Sequence, residues 1–438
     1  MPARTGIALC LAIAAGGCAS FQSLTPAAPG VTSPATFDVR ARTATAALTV
    51  LHVFGGGTDG KGVTGPLVVL HGVLYGTTVQ GGTARCKCGT VFGITPSGDE
   101  RVIHSFQGGL DGAFPGGLVV YRGALYGVTS RAGGDGGGTV FRLAPNGEKR
   151  TLYSFPDAPR DGVFPQALYV GGGQLYGTTS GGGRLGHGTF FALTPAGGER
   201  SLYDVPPYQS VPQLVWSDGT FYGSKTVGCA GCESGTGVLL SLSASGAEQD
   251  VADFDEGTYG SPQGPPVPYD GDLYVASSQG GNSTCTWSGA LGPWGCGVIY
   301  KLQLPGTITA AYAFDPNPDG VAPNAAPAVM HARLYGTTWG GGTGSCSDGG
   351  YATTGCGTIY ELSASGRERV LYSFANASDG GRPSQLTAYG NVLYGYAIGA
   401  NGRSEIFAFA PGLAPSPLPS PTPAPVVTPT PATQGART

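Results

Sequence analysis

The chain has 438 residues, a formal net charge of −4, 11% charged residues, 79 glycines and 35 prolines. So weak a charge, with no basic block, lacks the electrostatic footprint of phosphate-backbone binding, and nucleic acid is not an expected partner. A hydrophobic content of 40% excludes a disordered body, while the glycine and proline content favours turns over helices.

The first residues read as an export signal. Arg4 is followed by an apolar run from Gly6 to Ala15, too short to span a bilayer. It leads into Ala15-Gly16-Gly17-Cys18, similar to a bacterial lipobox in which Cys18 is lipidated after cleavage. Ala15 stands where such boxes usually carry leucine, and ordinary cleavage releasing a soluble protein is the alternative reading. Residues 1–18 are therefore expected to be a signal peptide and residues 19–46 a flexible Pro/Ala/Ser/Thr-rich tether. The membrane would be reached through the lipid only.

From residue 47 onward the chain repeats. Leu74-Tyr75-Gly76, Leu125-Tyr126-Gly127, Leu175-Tyr176-Gly177, Leu334-Tyr335-Gly336 and Leu393-Tyr394-Gly395 are clean copies of one motif; Phe221-Tyr222-Gly223 and Leu273-Tyr274-Val275 are degenerate ones. Spacings of this size mark propellers or solenoids. Around each motif four short β-runs recur, for example Gly117 to Tyr121, Ala124 to Thr129, Gly138 to Leu143 and Lys149 to Phe155. Each is rich in Val, Leu, Tyr, Phe and Thr and bounded by turn residues, which predicts four antiparallel strands per unit. Fourth-strand runs end at Phe54, Phe106, Phe155, Val205, Phe254, Phe314 and Phe374. The first of these, Leu48 to Phe54, precedes any complete unit, and the last unit stops after Pro383 to Tyr389, Asn391 to Ile398 and Ser404 to Phe409. The predicted fold is an all-β, seven-bladed propeller of four-stranded antiparallel blades over residues 47–410, closed by its N-terminal strand.

The LYGTT, GTVF and LYSF stretches resemble the GloVer tandem repeat, found in bacterial surface proteins with varied cell-envelope anchors. The resemblance covers about residues 48 to 410 and implies an exported, anchored repeat protein, with no particular activity. Blade 4 departs from it most, through Phe221 and the short Pro206-Pro207-Tyr208 connection. After Pro411 the chain reads as a Pro-rich disordered tail, residues 411–438.

Strand order separates two faces. First-to-second and third-to-fourth turns share one, and are tight: His71-Gly72, Arg122-Gly123, Pro145-Asn146-Gly147. Second-to-third loops and blade connections share the other, whose long loops make it the expected binding face. Eight cysteines fall there in local pairs, Cys86 with Cys88, Cys229 with Cys232, Cys285 with Cys296 and Cys346 with Cys356. In an exported protein these read as loop disulfides; a metal site would require separate blades to converge. Trp287, Trp294 and Trp339, with Tyr259 and Tyr351 near them in topology, are the candidate ligand-binding residues. They suit stacking on sugar rings or on a partner's apolar patch, and the alternative is that each tryptophan anchors its own loop. Trp216, in a predicted inner strand, reads as core. Asp59, Asp111, Asp161, Asp319 and Asp379 each precede a glycine in a blade connection. A carboxylate or calcium ring at the channel mouth is one reading, and an Asx-type turn the other.

No catalytic residue, cofactor or metal site is expected. The five histidines lack ligand spacing, the Gly55–Gly62 stretch lacks the Ser/Thr and helix of a phosphate loop, and no nucleophile elbow is present. The expectation is a non-catalytic binding or adhesion module at the cell envelope, taking a glycan or a cell-surface protein. The alternatives are a carbohydrate-active hydrolase or lyase using acids at the channel mouth, and a purely structural scaffold.

Overall fold

The computed structural model describes residues 47–134, 136–156, 161–228, 236–254, 262–281, 295–315, 319–346, 355–375, 379–399 and 401–412. Cys18, Cys229, Cys232, Tyr259, Cys285, Trp287, Trp294 and Tyr351 lie outside them, as do the signal, tether and tail.

Seven antiparallel sheets form a ring, and the chain is a seven-bladed β-propeller. The inner strands are Lys61–Leu70, Ala113–Tyr121, Gly162–Gly171, Gln213–Ser217, Val267–Tyr269 and Thr387–Tyr389 for blades 1 to 5 and 7. In blade 6 the inner position is split between Val321–Pro323 and Ala328–Met330, both paired with Arg333–Gly340. Blade 2 adds Ala124–Arg131, Thr139–Leu143 and Lys149–Ser154 outward, within two residues of the expected bounds except at Ala113, where the inner strand starts earlier. A single turn of 3-10 helix, Gly109–Asp111, is the only helical element among the described residues.

The three repeated motifs are parts of one interblade contact. The phenylalanine ending one blade's fourth strand meets, edge to face, the aromatic in the next blade's third strand. Phe54 with Phe92 (4.9 Å), Phe106 with Phe141 (5.3 Å), Phe155 with Phe191 (5.3 Å), Phe314 with Tyr360 (5.1 Å) and Phe374 with Phe407 (5.6 Å) all follow this rule. Edge-to-face rings at this spacing add to the area they bury. The motif glycine makes room for that ring: a Cβ on Gly76, Gly127 or Gly177 would lie 2.5, 2.6 or 2.3 Å from the ring tip of Phe92, Phe141 or Phe191. The threonines pair as well. Thr78 with Thr90, Thr129 with Thr139, Thr179 with Thr189 and Thr338 with Thr358 join buried hydroxyls at 2.8–3.0 Å, satisfying each other inside the blade.

Closure follows the expected plan. Ala47–Val53 lies outermost in the last sheet, with Ala47 opposite Ala410 and Val53 opposite Glu405. Both strand edges that a linear array would leave bare are thereby paired. Inward of that seam the Thr387 hydroxyl donates to the Leu67 carbonyl at 2.7 Å, joining blade 7 to blade 1.

Candidate functional site

A cavity of about 410 Å³ occupies the centre of the ring, lined by inner-strand residues of blades 1, 4, 5, 6 and 7. Its walls are mostly apolar, including Leu67, Val215, Val267 and Val329, with Ser217, Asp218, Gln385 and Thr387 as polar residues. The volume falls within the usual range of small-molecule sites, about 300–1,000 Å³. Trp216 forms one wall. Its ring is held edge-to-face against Phe221 (4.7 Å) and lies against Gly171, where a Cβ would come within 2.7 Å of it. Trp216 is thus half-buried, packed against the hydrophobic core between blades 3 and 4 as its strand position suggested, and it also forms part of the cavity wall. The following residues, Ser217 and Asp218, lead into the first-to-second turn, so the cavity reaches the tight-turn face. That face holds more than turns: a second hollow of about 620 Å³ lies beside it, between Tyr269 and Asp270 of blade 5 and His331, Arg333 and Ser363 of blade 6.

On the opposite face the described cysteines are bonded. Cys86 pairs with Cys88 and Cys346 with Cys356. Cys296 is also disulfide-bonded, and its expected partner Cys285 lies outside the described residues. Trp339 is half-buried, with the Arg382 guanidinium of the next blade 4.5 Å above its ring. The same contact recurs with roles exchanged where Arg131 of blade 2 covers Phe164 of blade 3 at 5.4 Å.

The Asp-Gly carboxylates are occupied in their own connections. Asp111 accepts the Gln107 N–H (2.8 Å), His104 Nε2 (3.1 Å) and Lys149 Nζ (2.8 Å). Asp379 accepts the Ala375 N–H at 3.0 Å and the Tyr372 hydroxyl at 2.8 Å, and Asp319 accepts the Tyr312 hydroxyl. Asp59 likewise caps Gly57 N–H at 3.2 Å, with His52 Nε2 3.7 Å away. His52, His104, Tyr153, Tyr312 and Tyr372 thus fill one repeat position, each facing its aspartate. None of the five aspartates lines the central cavity.

Four of these stations also receive the charged first residue of the next blade's fourth strand, and its sign sets the electrostatics. At Asp111 that residue is Lys149. Burial works against the Asp111 charge, but hydrogen bonds from His104, Lys149 and Gln107 N–H outweigh it and hold the carboxyl well below the usual range. At Asp59, Asp161 and Asp319 it is Glu100, Glu199 and Glu368, and there burial together with the facing aspartate pushes each glutamate up to about 7. Blade 4 has no such aspartate. Lys225 instead stands where other blades have the paired threonine, and its buried ammonium meets Glu248 at 2.5 Å and Asp250 at 3.1 Å. Among the described residues no group of three or more His, Cys, Asp or Glu is placed to hold a metal ion. No helix among them is long and apolar enough to cross a membrane.

The Gloeobacter/Verrucomicrobia repeat matches residues 35–173 and 123–351. The chain belongs to this repeat family. No curated protein matches it. Among solved structures it is similar to an ulvan lyase of polysaccharide lyase family PL25, with a TM-score of 0.50, 11% identity, and coverage of 78% of this chain and 90% of that one. It is also similar to the WD40 propeller of Doa1 (TM-score 0.47, 11% identity, 82% and 96% covered). The CNH domain of AfRom2 gives a TM-score of 0.47, 10% identity and coverage of 83% and 98%. Identities this low speak to the fold alone.

In this Gloeobacter/Verrucomicrobia repeat protein the family motifs build the ring and leave the cavity lining to residues outside them. Ser217, Asp218 and Gln385 were not singled out from the sequence. They fall at or beside inner strands, where the repeat is weakest, and only Trp216 beside them carried a signal. Of the expected ligand-binding residues, the structure describes Trp339 alone.

Proposed function

We propose that the protein is an exported binding module, held at the cell envelope through lipid on Cys18, and that its ligand is a glycan. The observation that supports this reading is the central cavity: an indole wall beside a few polar groups in an otherwise apolar well. A sugar ring presents an apolar face to stack on Trp216 and hydroxyls for Asp218, Ser217 and Gln385 to bind. One carboxylate at the cavity suits recognition better than glycoside cleavage, which uses two facing carboxyls. Among the described residues Asp218 is the only acid in its lining.

A glycan array probed with the full chain tests the proposal, alongside Trp216→Ala, Asp218→Asn and a Trp287→Ala/Trp294→Ala/Trp339→Ala triple variant. Binding lost in the two cavity variants, with melting temperature retained in Asp218→Asn, supports the cavity. Loss in the triple variant alone moves the site to the long-loop face with Tyr259 and Tyr351. No glycan bound by the wild-type chain overturns the glycan reading and leaves a cell-surface protein partner. Turnover of a bound glycan would replace the binding module with a carbohydrate-active hydrolase or lyase. Radiolabelled palmitate incorporation that survives Cys18→Ser would refute the anchor.

A further inference from the structure

Three blades place a cysteine at the same repeat position, directly before the glycine that leads into the third strand: Cys88, Cys296 and Cys356. All three are buried, with 4%, 0% and 0% of their surface exposed. Their carbonyls accept the N–H of Phe114, Ala322 and Arg382 at the start of the next blade at 2.9, 2.8 and 2.7 Å. The buried cysteine is constant, and its partner is not. Cys356 bonds to Cys346, ten residues upstream, and so ties down a long loop. Cys88 bonds to Cys86 across a single residue.

We propose that Cys86–Cys88 is a thiol–disulfide exchange site for a dithiol substrate. A loop this short restricts the unfolded chain least, so the bond contributes little as a staple. Between the two cysteines Lys87 stands at φ 52°, a position that blades 2, 3, 5 and 6 give to Gly136, Gly186, Gly295 and Gly355. Left-handed backbone suits glycine and costs a lysine, and blades 2 and 3 adopt it without a cysteine, so the loop imposes it on Lys87. Access is asymmetric, with Cys86 exposed and Cys88 buried. Gly108 lies beside the pair, where a Cβ would sit 3.4 Å from Cys88 Sγ and 3.6 Å from Cys86 Sγ, so glycine keeps further side-chain bulk off the sulfurs. Exposed Arg85 and Lys87 flank Cys86, and neighbouring cations favour thiolates.

The exchange balances without another oxidant. One thiolate of the substrate attacks Cys86 Sγ, the Cys86–Cys88 bond breaks, and Cys88 leaves as a thiolate. The substrate's second thiolate then attacks its own sulfur in the mixed disulfide and releases Cys86. The substrate's two thiols become a disulfide, the chain's disulfide becomes two thiols, and two electrons and two protons pass between them. Cys88 stays placed for reoxidation because its carbonyl remains bonded to Phe114 and its backbone bridges to Gly81.

Equilibration of the full chain in graded reduced and oxidised dithiothreitol, quenched by alkylation and read by peptide mass spectrometry, tests this. The expected result is half-reduction of Cys86–Cys88 at a reduced-to-oxidised ratio at least tenfold lower than Cys346–Cys356 requires. With oxidised glutathione, Cys88→Ser should form a mixed disulfide on Cys86 at least tenfold faster than Cys86→Ser does on buried Cys88. Coincident midpoints for the two wild-type bonds, or equal labelling of the two serine variants, would overturn the proposal.

Discussion

Raising the pH from 6 to 8 should destabilise this propeller, and the loss should be traceable to three side chains. Glu100, Glu199 and Glu368 face Asp59, Asp161 and Asp319 across blade interfaces, with His52, Tyr153 and Tyr312 completing the stations and Glu361 also acting on Glu368. Each glutamate is pushed up to about 7 by burial and by the aspartate it faces. A carboxyl whose affinity for protons is raised by folding keeps its full contribution below the unfolded value. That contribution drains away as pH rises through the folded value, because only the unfolded chain has already released its proton. The nominal size is ~3 kcal/mol per carboxyl. These side chains are only half-buried, so solvent screening reduces that to ~1–1.3 kcal/mol each, about 3–4 kcal/mol for the set. For a body of this size that is a melting-temperature difference of roughly 4–5 °C. The triple Glu100→Gln/Glu199→Gln/Glu368→Gln variant keeps the shape of the neutral acid and cannot ionise. Thermal unfolding followed by circular dichroism from pH 5 to 9 should show it level with wild type near pH 5 and more stable by that margin above pH 7.5. Parallel curves across the whole range would refute the reasoning, since other titrating groups are common to both proteins.

The Lys149 station suggests the converse change. Glu199→Lys should give Asp161 the ammonium that Asp111 already has and remove a carboxylate that ionises near neutrality, raising the melting temperature more at pH 8 than at pH 5, and no pH-dependent gain would contradict the shared geometry. Gly127→Ala places a Cβ 2.6 Å from the Phe141 ring tip and 2.9 Å from Leu118. Urea unfolding should register a loss of ~1–3 kcal/mol from overpacking, and a neutral result would show that the interblade aromatic can move aside. Deleting residues 47–53 strips the outer strand from the last blade and bares the edge of Ser404–Ala410. Light scattering should reveal aggregation, and light-scattering and melting curves like those of the full chain would mean that the ring does not depend on this strand.

The sequence alone determined the ring. Period, strand count and the complementary ends required seven blades and a closing N-terminal strand, because each blade's edge and apolar faces need a neighbour. It also marked the residues of the interblade contact. Gly76 and Phe92, however, are far apart in the repeat, and only packing shows that one exists to admit the other. The aspartates illustrate the same division. Asp-Gly steps were legible as turns or as a carboxylate ring, and the choice depended on where Tyr372, His104 and the backbone N–H groups lie in space. The cavity was less legible still. Trp216 and Asp218 come from blade 4 and Gln385 from blade 7, blades that meet only through ring closure, so no local pattern joins the two sides. Pairwise spacing found the Cys86–Cys88 and Cys346–Cys356 bonds, and the Cys-Gly step before the third strand is shared by Cys88, Cys296 and Cys356, yet that all three are buried is decided by packing against the next blade. Local periodicity encodes which elements form; the meeting of residues from different blades is set by the closed ring.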